Sequence, residues 1–111
     1  MAKFVFTAQH YPTDPGCYLM KDVRGQVIYV GKAKNLRRRL ATYFQQGRKR
    51  GYIRRMIARI RAIEVILLNN ETESLVLENN LIKRHQPPFN RLLQKASTGY
   101  YLKQGEFEGE R

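Results

Sequence analysis

The chain has a single cysteine, Cys17, in 111 residues. One thiol excludes an internal disulfide and a multi-cysteine zinc site, and it fits a reducing, cytoplasmic setting. No apolar run approaches the roughly 18–20 residues needed to span a bilayer. The first residues, Met1-Ala2-Lys3-Phe4-Val5-Phe6, do not form a basic stretch leading into a long apolar core, so they are not a secretory signal. There is no Gly-x-x-x-x-Gly-Lys-Ser/Thr phosphate loop. Nothing supports a Ser/His/Asp or Cys/His nucleophile system either. The two histidines, His10 and His85, fall in an irregular lead-in and at a helix end, where surface roles are the better reading. Acid is scarce as well. Nine Asp and Glu stand against 21 Lys and Arg, a net charge of +12. Between Asp22 and Glu64 there are thirteen cations and no carboxylate: Arg24, Lys32, Lys34, Arg37, Arg38, Arg39, Arg48, Lys49, Arg50, Arg54, Arg55, Arg59 and Arg61.

An uncompensated block of that kind calls for an acidic polymer, and nucleic acid is the commonest one. A merely solvated helical surface would mix both signs. A lipid surface fits less well, because the arginines are scattered around the helices instead of lying opposite a clean apolar face. With 42% hydrophobic residues the chain has material for one compact domain, and its length leaves no room for a second core.

The first fifteen residues are irregular, broken by Pro12, Asp14 and Pro15. Residues 17–21 and 26–31 read as two strands joined by the turn Asp22-Val23-Arg24-Gly25. Asn35 is the expected cap of a helix carrying Leu36, Leu40 and Phe44 and ending at Gly47. A second helix spans about residues 52–61, with Ile53, Met56, Ile57 and Ile60 on one side. Residues 64–68 form a third strand. Asn69 or Asn70 then caps a helix running to about Arg84, stopped by Pro87-Pro88. A last helical turn is expected over 89–93, and Tyr100-Tyr101-Leu102 is a candidate extra strand. The fold class is α+β: a small three-stranded sheet, mixed or antiparallel, flanked by helices in the order β-β-α-α-β-α. The expected organisation is an N-terminal extension over 1–11, the domain over 12–94 and a tail over 95–111, the tail being a linker start or an added strand.

Two groups of residues carry chemistry. At 100° per residue Glu78 falls between the directions of Leu81 and Ile82, one turn after Leu75, which puts a carboxylate on an apolar helix face. A buried carboxylate needs a metal ion, an arginine or a hydrogen-bond network, and a structural salt bridge is as good a reading as a functional one. Tyr18 and Tyr29 lie on the two hairpin strands, and Tyr43 follows Arg39 by four residues on one helix face. Singly, each tyrosine reads as half-buried packing with its hydroxyl at the surface. Together with Lys32 they would line up hydroxyls and cations if the helix packs against the hairpin's end.

Gly16-Cys17-Tyr18, ten residues, then Tyr29-Val30-Gly31 resembles the paired signature of the GIY-YIG nucleases. Lys32-Ala33-Lys34-Asn35-Leu36 with Arg39 and Tyr43-Phe44 is similar to that family's following helix, Ser74 to Lys83 to the segment with its metal-binding glutamate, and Pro88-Phe89-Asn90 to the segment with its final asparagine. The likeness spans about residues 12–93. The middle positions, Cys17 and Val30, replace isoleucines, and strand alternation points both away from the tyrosines.

The resemblance implies a DNA-nicking phosphodiesterase dependent on one divalent cation, Mg²⁺ or Mn²⁺, held by Glu78. It implies Tyr29 as general base, Lys32 and Arg39 as electrostatic stabilisers, Tyr18 orienting Tyr29, Tyr43 contacting phosphate and Asn90 positioning the group. A free tyrosine titrates near 10, and neighbouring cations would favour its phenolate. Lys34, Arg37, Arg38, Arg48, Lys49, Arg50, Arg54 and Arg55 would grip the DNA backbone without reading bases. The likeness points to incision in nucleotide excision repair, with a partner protein of that system delivering damaged DNA. A stand-alone structure-specific nuclease and a non-catalytic basic binding module are the alternatives.

Overall fold

The computed structural model describes residues 3–45, 47, 49 and 51–96. The expected contacts of Arg48 and Arg50 and the candidate strand over 100–102 lie outside the described residues. Two strands, β1 (Gly16–Lys21) and β2 (Val27–Ala33), are followed by helices α1 (Leu36–Phe44) and α2 (Gly51–Arg59). Then come β3 (Ala62–Leu67) and helices α3 (Glu71–His85) and α4 (Pro88–Ala96), with one 3₁₀ turn at Ala8–His10 before β1. The element order matches the expected one up to α3, and the sheet is antiparallel throughout, in the order β2-β1-β3.

The hairpin turn is built by Asp22. Its carboxylate accepts the N–H groups of Arg24 and Gln26, each at 3.0 Å, leaving the backbone free to reverse. β2 runs two residues beyond the expected Gly31, because Lys32 and Ala33 still pair with Cys17 and Gly16. β3 likewise starts at Ala62, since its register covers the whole of β1, from Ala62 opposite Lys21 to Leu67 opposite Gly16. α2 ends at Arg59 where Ile60 and Arg61 leave the helix, the Arg61 N–H going to the Lys21 carbonyl. α1 stops at Phe44, three residues short of Gly47.

Alternation along the strands sends side chains to two helical layers. Tyr18, Met20, Tyr29 and Ala33 face one side, packed with Leu36, Leu40, Tyr43, Met56 and Phe89 from α1, α2 and α4. Cys17, Leu19 and Val30 face the other, under Leu81 of α3. A register irregularity between Met20 and Lys21 lets both Ile28 and Tyr29 reach the first core. The lead-in segment also lies on that core, through Phe4, Phe6 and Tyr11.

Gly16 and Gly31 are required by close approach. A Cβ on Gly16 would meet the Ile66 carbonyl oxygen of β3, and one on Gly31 would run into the Tyr18 ring and hydroxyl. β2 is an edge strand of the sheet. Its outward backbone groups at Val30 are taken by Asn90 of α4, whose Oδ1 accepts the Val30 N–H at 2.8 Å and whose Nδ2 donates to the Val30 carbonyl at 2.9 Å. Asn90 is thus a one-residue surrogate strand.

Asn90→Ala leaves both Val30 groups buried and unpaired. It is expected to lower unfolding free energy by about 1–3 kcal/mol, the usual cost of orphaning a buried polar group. Urea unfolding followed by circular dichroism checks this. A loss under 0.5 kcal/mol would mean that the clamp is dispensable.

Candidate active site

α1 begins at Asn35, whose side chain accepts the Arg38 N–H at 3.0 Å. This cap fixes the helix phase so that Leu36, Arg39, Leu40 and Tyr43 turn inward. Tyr43 reaches the two strand tyrosines. The ring centroids of Tyr18, Tyr29 and Tyr43 stand 6.0–6.4 Å apart in a triangle, and the Tyr18 and Tyr43 hydroxyls are 2.6 Å apart. The tyrosines are not half-buried packing with surface hydroxyls. Tyr18 and Tyr29 are core residues, Tyr29 with 1% of its surface exposed. They sink into the core because Gly31 leaves room for the Tyr18 ring.

Arg39 lies one helical turn before Tyr43 and is only 8% exposed. Its Nε and Nη2 are buried and meet no acceptor among the described residues. Each buried donor left unpaired costs about 1–3 kcal/mol, more for a charged group, and an anion with oxygens in a plane is what the guanidinium fork accepts. Among the described residues the Nε of the half-buried Arg61 is also left over, but only Arg39 carries two such donors.

Glu78 belongs to the other layer. α3 starts at Asn70, which accepts the Glu73 N–H at 2.8 Å, and its inward stripe is Ser74, Glu78 and Leu81. Leu75, expected on that face, is instead 48% exposed, and Ser74 takes its place because its carbonyl accepts the Cys17 thiol at 3.4 Å. Glu78 is 8% exposed. Lys32, paired across the strands with Cys17, shares its face of the sheet. Both charges act on the Cys17 thiol. Burial pushes it up from about 9 to about 12, the Glu78 carboxylate adds to the rise, and the Lys32 ammonium works against it.

The structure therefore sorts the expected site residues into two groups on opposite faces of the β1–β2 pair. Tyr18, Tyr29, Tyr43 and Arg39 form one, and Glu78 and Lys32 the other, with Asn90 gripping β2 between Tyr29 and Gly31. Lys32 does not sit in line with the tyrosines, as strand alternation requires. Among the expected backbone contacts, Arg38, Arg54 and Arg55 are exposed. Lys34 is exposed and pairs with Glu71 at 3.1 Å, an exchangeable surface contact. Lys49 Nζ donates to the Gln45 carbonyl at 2.9 Å. Arg37 is half-buried, with Nε donating to the Tyr11 carbonyl at 2.8 Å. Sequence reasoning missed this last contact and the Val30 backbone. The signal for the first was present in the aromatic residues Phe4, Phe6 and Tyr11 of the lead-in.

Glu78 offers hard oxygen donors. Among the described residues no three His, Cys, Asp or Glu side chains cluster, and the Cys17 thiol is held protonated, so it is neither thiolate ligand nor nucleophile. A single carboxylate fits magnesium or manganese, which keep several waters, and does not fit structural zinc.

An antiparallel β2-β1-β3 sheet between helices, two close-approach glycines, three converging tyrosines, a buried arginine and a buried glutamate define a GIY-YIG nuclease domain. The family model described as the UvrC-like GIY-YIG domain matches residues 14–91. The chain belongs to that family and is an endonuclease domain of it. It is 54% identical over 98 residues to the UvrABC system protein C of Chlamydia caviae, covering 87% of this chain and 16% of that protein. The same protein of Protochlamydia amoebophila is 51% identical over 94 residues, 84% of this chain and 15% of that one. The chain thus spans about a sixth of the length of these curated relatives. Among solved structures, it is similar to the GIY-YIG N-terminal endonuclease domain of UvrC from Thermotoga maritima bound to its catalytic divalent cation, magnesium. That likeness has a TM-score of 0.64 at 37% identity, covering 70% of this chain and 84% of the other.

With its pKa near 12, native Cys17 should react with iodoacetamide at pH 8 about 10³-fold more slowly than the unfolded thiol, from the difference in thiolate fraction alone. The sign follows from the proton: the folded state holds it more tightly, so the Cys17 contribution to stability is complete below pH 9 and is lost as pH rises toward 12. Alkylation rates measured with and without urea check this, and equal rates would reject it.

Proposed function

We propose that this domain nicks DNA by hydrolysing a phosphodiester bond with the help of one divalent cation, Mg²⁺ or Mn²⁺. In a longer cytoplasmic protein it makes the 3′-side incision of nucleotide excision repair on damaged DNA delivered by a UvrB-type partner. The observation that carries this reading is the buried Arg39 guanidinium, whose Nε and Nη2 are unpaired among the described residues, one helical turn from the tyrosine triangle.

In this reading the scissile phosphate takes the hydrogen bonds that Arg39 lacks in the free protein, and Arg39 stabilises the charge that grows on the phosphate oxygens. Tyr29, acting as its phenolate, accepts the proton of the attacking water as the bond to the leaving 3′-oxygen breaks, and that oxygen takes a proton from solvent. Because Tyr29 is buried in the free domain, DNA binding has to open its hydroxyl to that water. Tyr18 and Tyr43 hold the tyrosine group through their paired hydroxyls, 2.6 Å apart. Lys32 balances the negative charge of Glu78 on the Cys17 face. Glu78 would hold the cation, whose bound positive charge supports the scissile phosphate and the leaving oxygen. The Asn90 clamp keeps β2, and hence Tyr29, in register. The exposed Arg38, Arg54 and Arg55 grip phosphates of the flanking backbone, joined by Lys34 once it leaves Glu71.

Nicking of supercoiled plasmid with Mg²⁺ or Mn²⁺ tests the chemistry. Tyr29→Phe is expected to lower the rate by about 10²–10⁴-fold, as loss of a general base does. Arg39→Ala should lower it by about 10²–10³-fold. Glu78→Ala and chelation of the cation should each abolish cleavage. Rates equal to wild type in all three variants would sink the mechanism.

The grip is read from DNA affinity against salt. Arg54→Ala and Arg55→Ala are each expected to weaken binding to all sequences alike and to reduce the slope of log K against log salt by about 1. A change confined to one DNA sequence would point to base readout instead.

A further inference from the structure

α1 carries Arg39 and Tyr43, and it is held from outside at both ends. The first N–H groups of a helix have no intrahelical acceptor. In α1 they are taken by the lead-in: Leu36 N–H donates to the Asp14 carbonyl at 3.1 Å and Arg37 N–H to the Pro12 carbonyl at 2.9 Å. The Arg37 side chain adds its Nε bond to the Tyr11 carbonyl. This helix N-terminus is therefore filled by the chain itself. At the other end Phe44 lies on Phe6, centroids 4.9 Å apart and planes within 4°, while the Phe6 ring also stacks with Tyr11 at 5.3 Å. Phe4 joins Phe44 at 5.8 Å. One short segment thus grips the first and last residues of the helix, with the site residues between.

We propose that residues 4–14 are a positioning brace for α1, in which Phe6 and Arg37 set where Arg39 and Tyr43 stand over β1 and β2. Most of this segment precedes the residues matched by the family model, which begin at 14. Arg37 is in this account a positioning residue and not a contact to the DNA backbone. A misplacement of the order of 1 Å is enough to cost about 10²-fold in rate, so a brace remote from the chemistry has leverage on it. The proposal rests on the nuclease reading above.

Phe6→Ala, Phe6→Tyr and Arg37→Ala in the full chain are compared for nicking kcat and KM, for the salt slope of DNA binding and for amide hydrogen exchange. Phe6→Ala and Arg37→Ala are expected to lower kcat about tenfold or more with KM and salt slope unchanged, and Phe6→Tyr, which keeps the stacked ring, to restore kcat. Amides of α1 should exchange at least tenfold faster while those of β1 and β2 keep their protection. Wild-type kcat in both alanine variants overturns the brace and leaves the nuclease reading standing. So does an Arg37→Ala variant that loses about 1 from the salt slope with kcat intact. Loss of protection across the sheet as well marks Phe6 as plain core packing and also overturns it. If the wild-type chain does not nick DNA, the nuclease reading fails, and exchange decides the brace alone: unchanged α1 amides overturn it, loosening confined to α1 supports it.

Discussion

The contact between the Tyr18 ring and the bare backbone of Gly31 is the constraint on which the site depends. With no side chain at Gly31, the hydroxyl end of the ring lies over β2, and any Cβ there would collide with it. The ring is then fully buried, and a buried phenol needs a partner for its hydroxyl. Tyr43 supplies one, and that bond ties α1 to the central strand at the place where Tyr29 also packs. Gly16 plays the same part on the other side of β1, where the Ile66 carbonyl of β3 takes the space of a side chain. The two glycines therefore draw both neighbours close around β1, and the helical layer above inherits its position from them.

The second constraint is the edge. An edge strand exposes a row of backbone groups that would pair with any passing chain. Here the row is closed at Val30 by Asn90, in the middle of the segment that carries Tyr29 on one face and Lys32 on the other. In the proposed function one substrate has to meet residues from both faces of this edge strand, which strand alternation separates. Cys17 marks the charged side: its thiol is pushed up by burial and by Glu78 and pulled back by Lys32, a sign that a carboxylate and an ammonium converge there.

Much of this was legible in the sequence where local chemistry decides it. The Asn35 and Asn70 caps and the Asp22 turn follow from side chains that bond their own backbone neighbourhood, and the stop at Pro87-Pro88 from rings that leave no N–H to donate. Glu78 stood out because a 3.6-residue period makes a carboxylate among apolar positions visible. What stayed hidden depends on partners distant in sequence. The length of β2 is set by pairing with Cys17 and Gly16, the exposure of Leu75 by the Cys17 thiol finding the Ser74 carbonyl 57 residues away, and the inward turn of Arg37 by a carbonyl 26 residues before it. The depth of the tyrosines was misjudged for the same reason. Ring burial depends on what the facing strand leaves empty, and no pattern within one strand reports that.

Burial also divides the positive charge that dominates the composition. Exposed cations such as Arg54 and Arg55 act through water and salt, and their pull fades over a Debye length of about 8 Å at physiological ionic strength. Arg39 is of another kind. Its Nε and Nη2 are shielded from solvent and unpaired among the described residues, so a phosphate oxygen that reaches them meets a charge already desolvated and already oriented. Water would have to be stripped from an exposed arginine at the moment of reaction, whereas folding has stripped it from Arg39 beforehand, at the expense of stability. That difference is why Arg39, the one buried cation of the block among the described residues, is suited to chemistry, while exposed neighbours such as Arg54 and Arg55 are suited to a salt-sensitive hold on a polyanion.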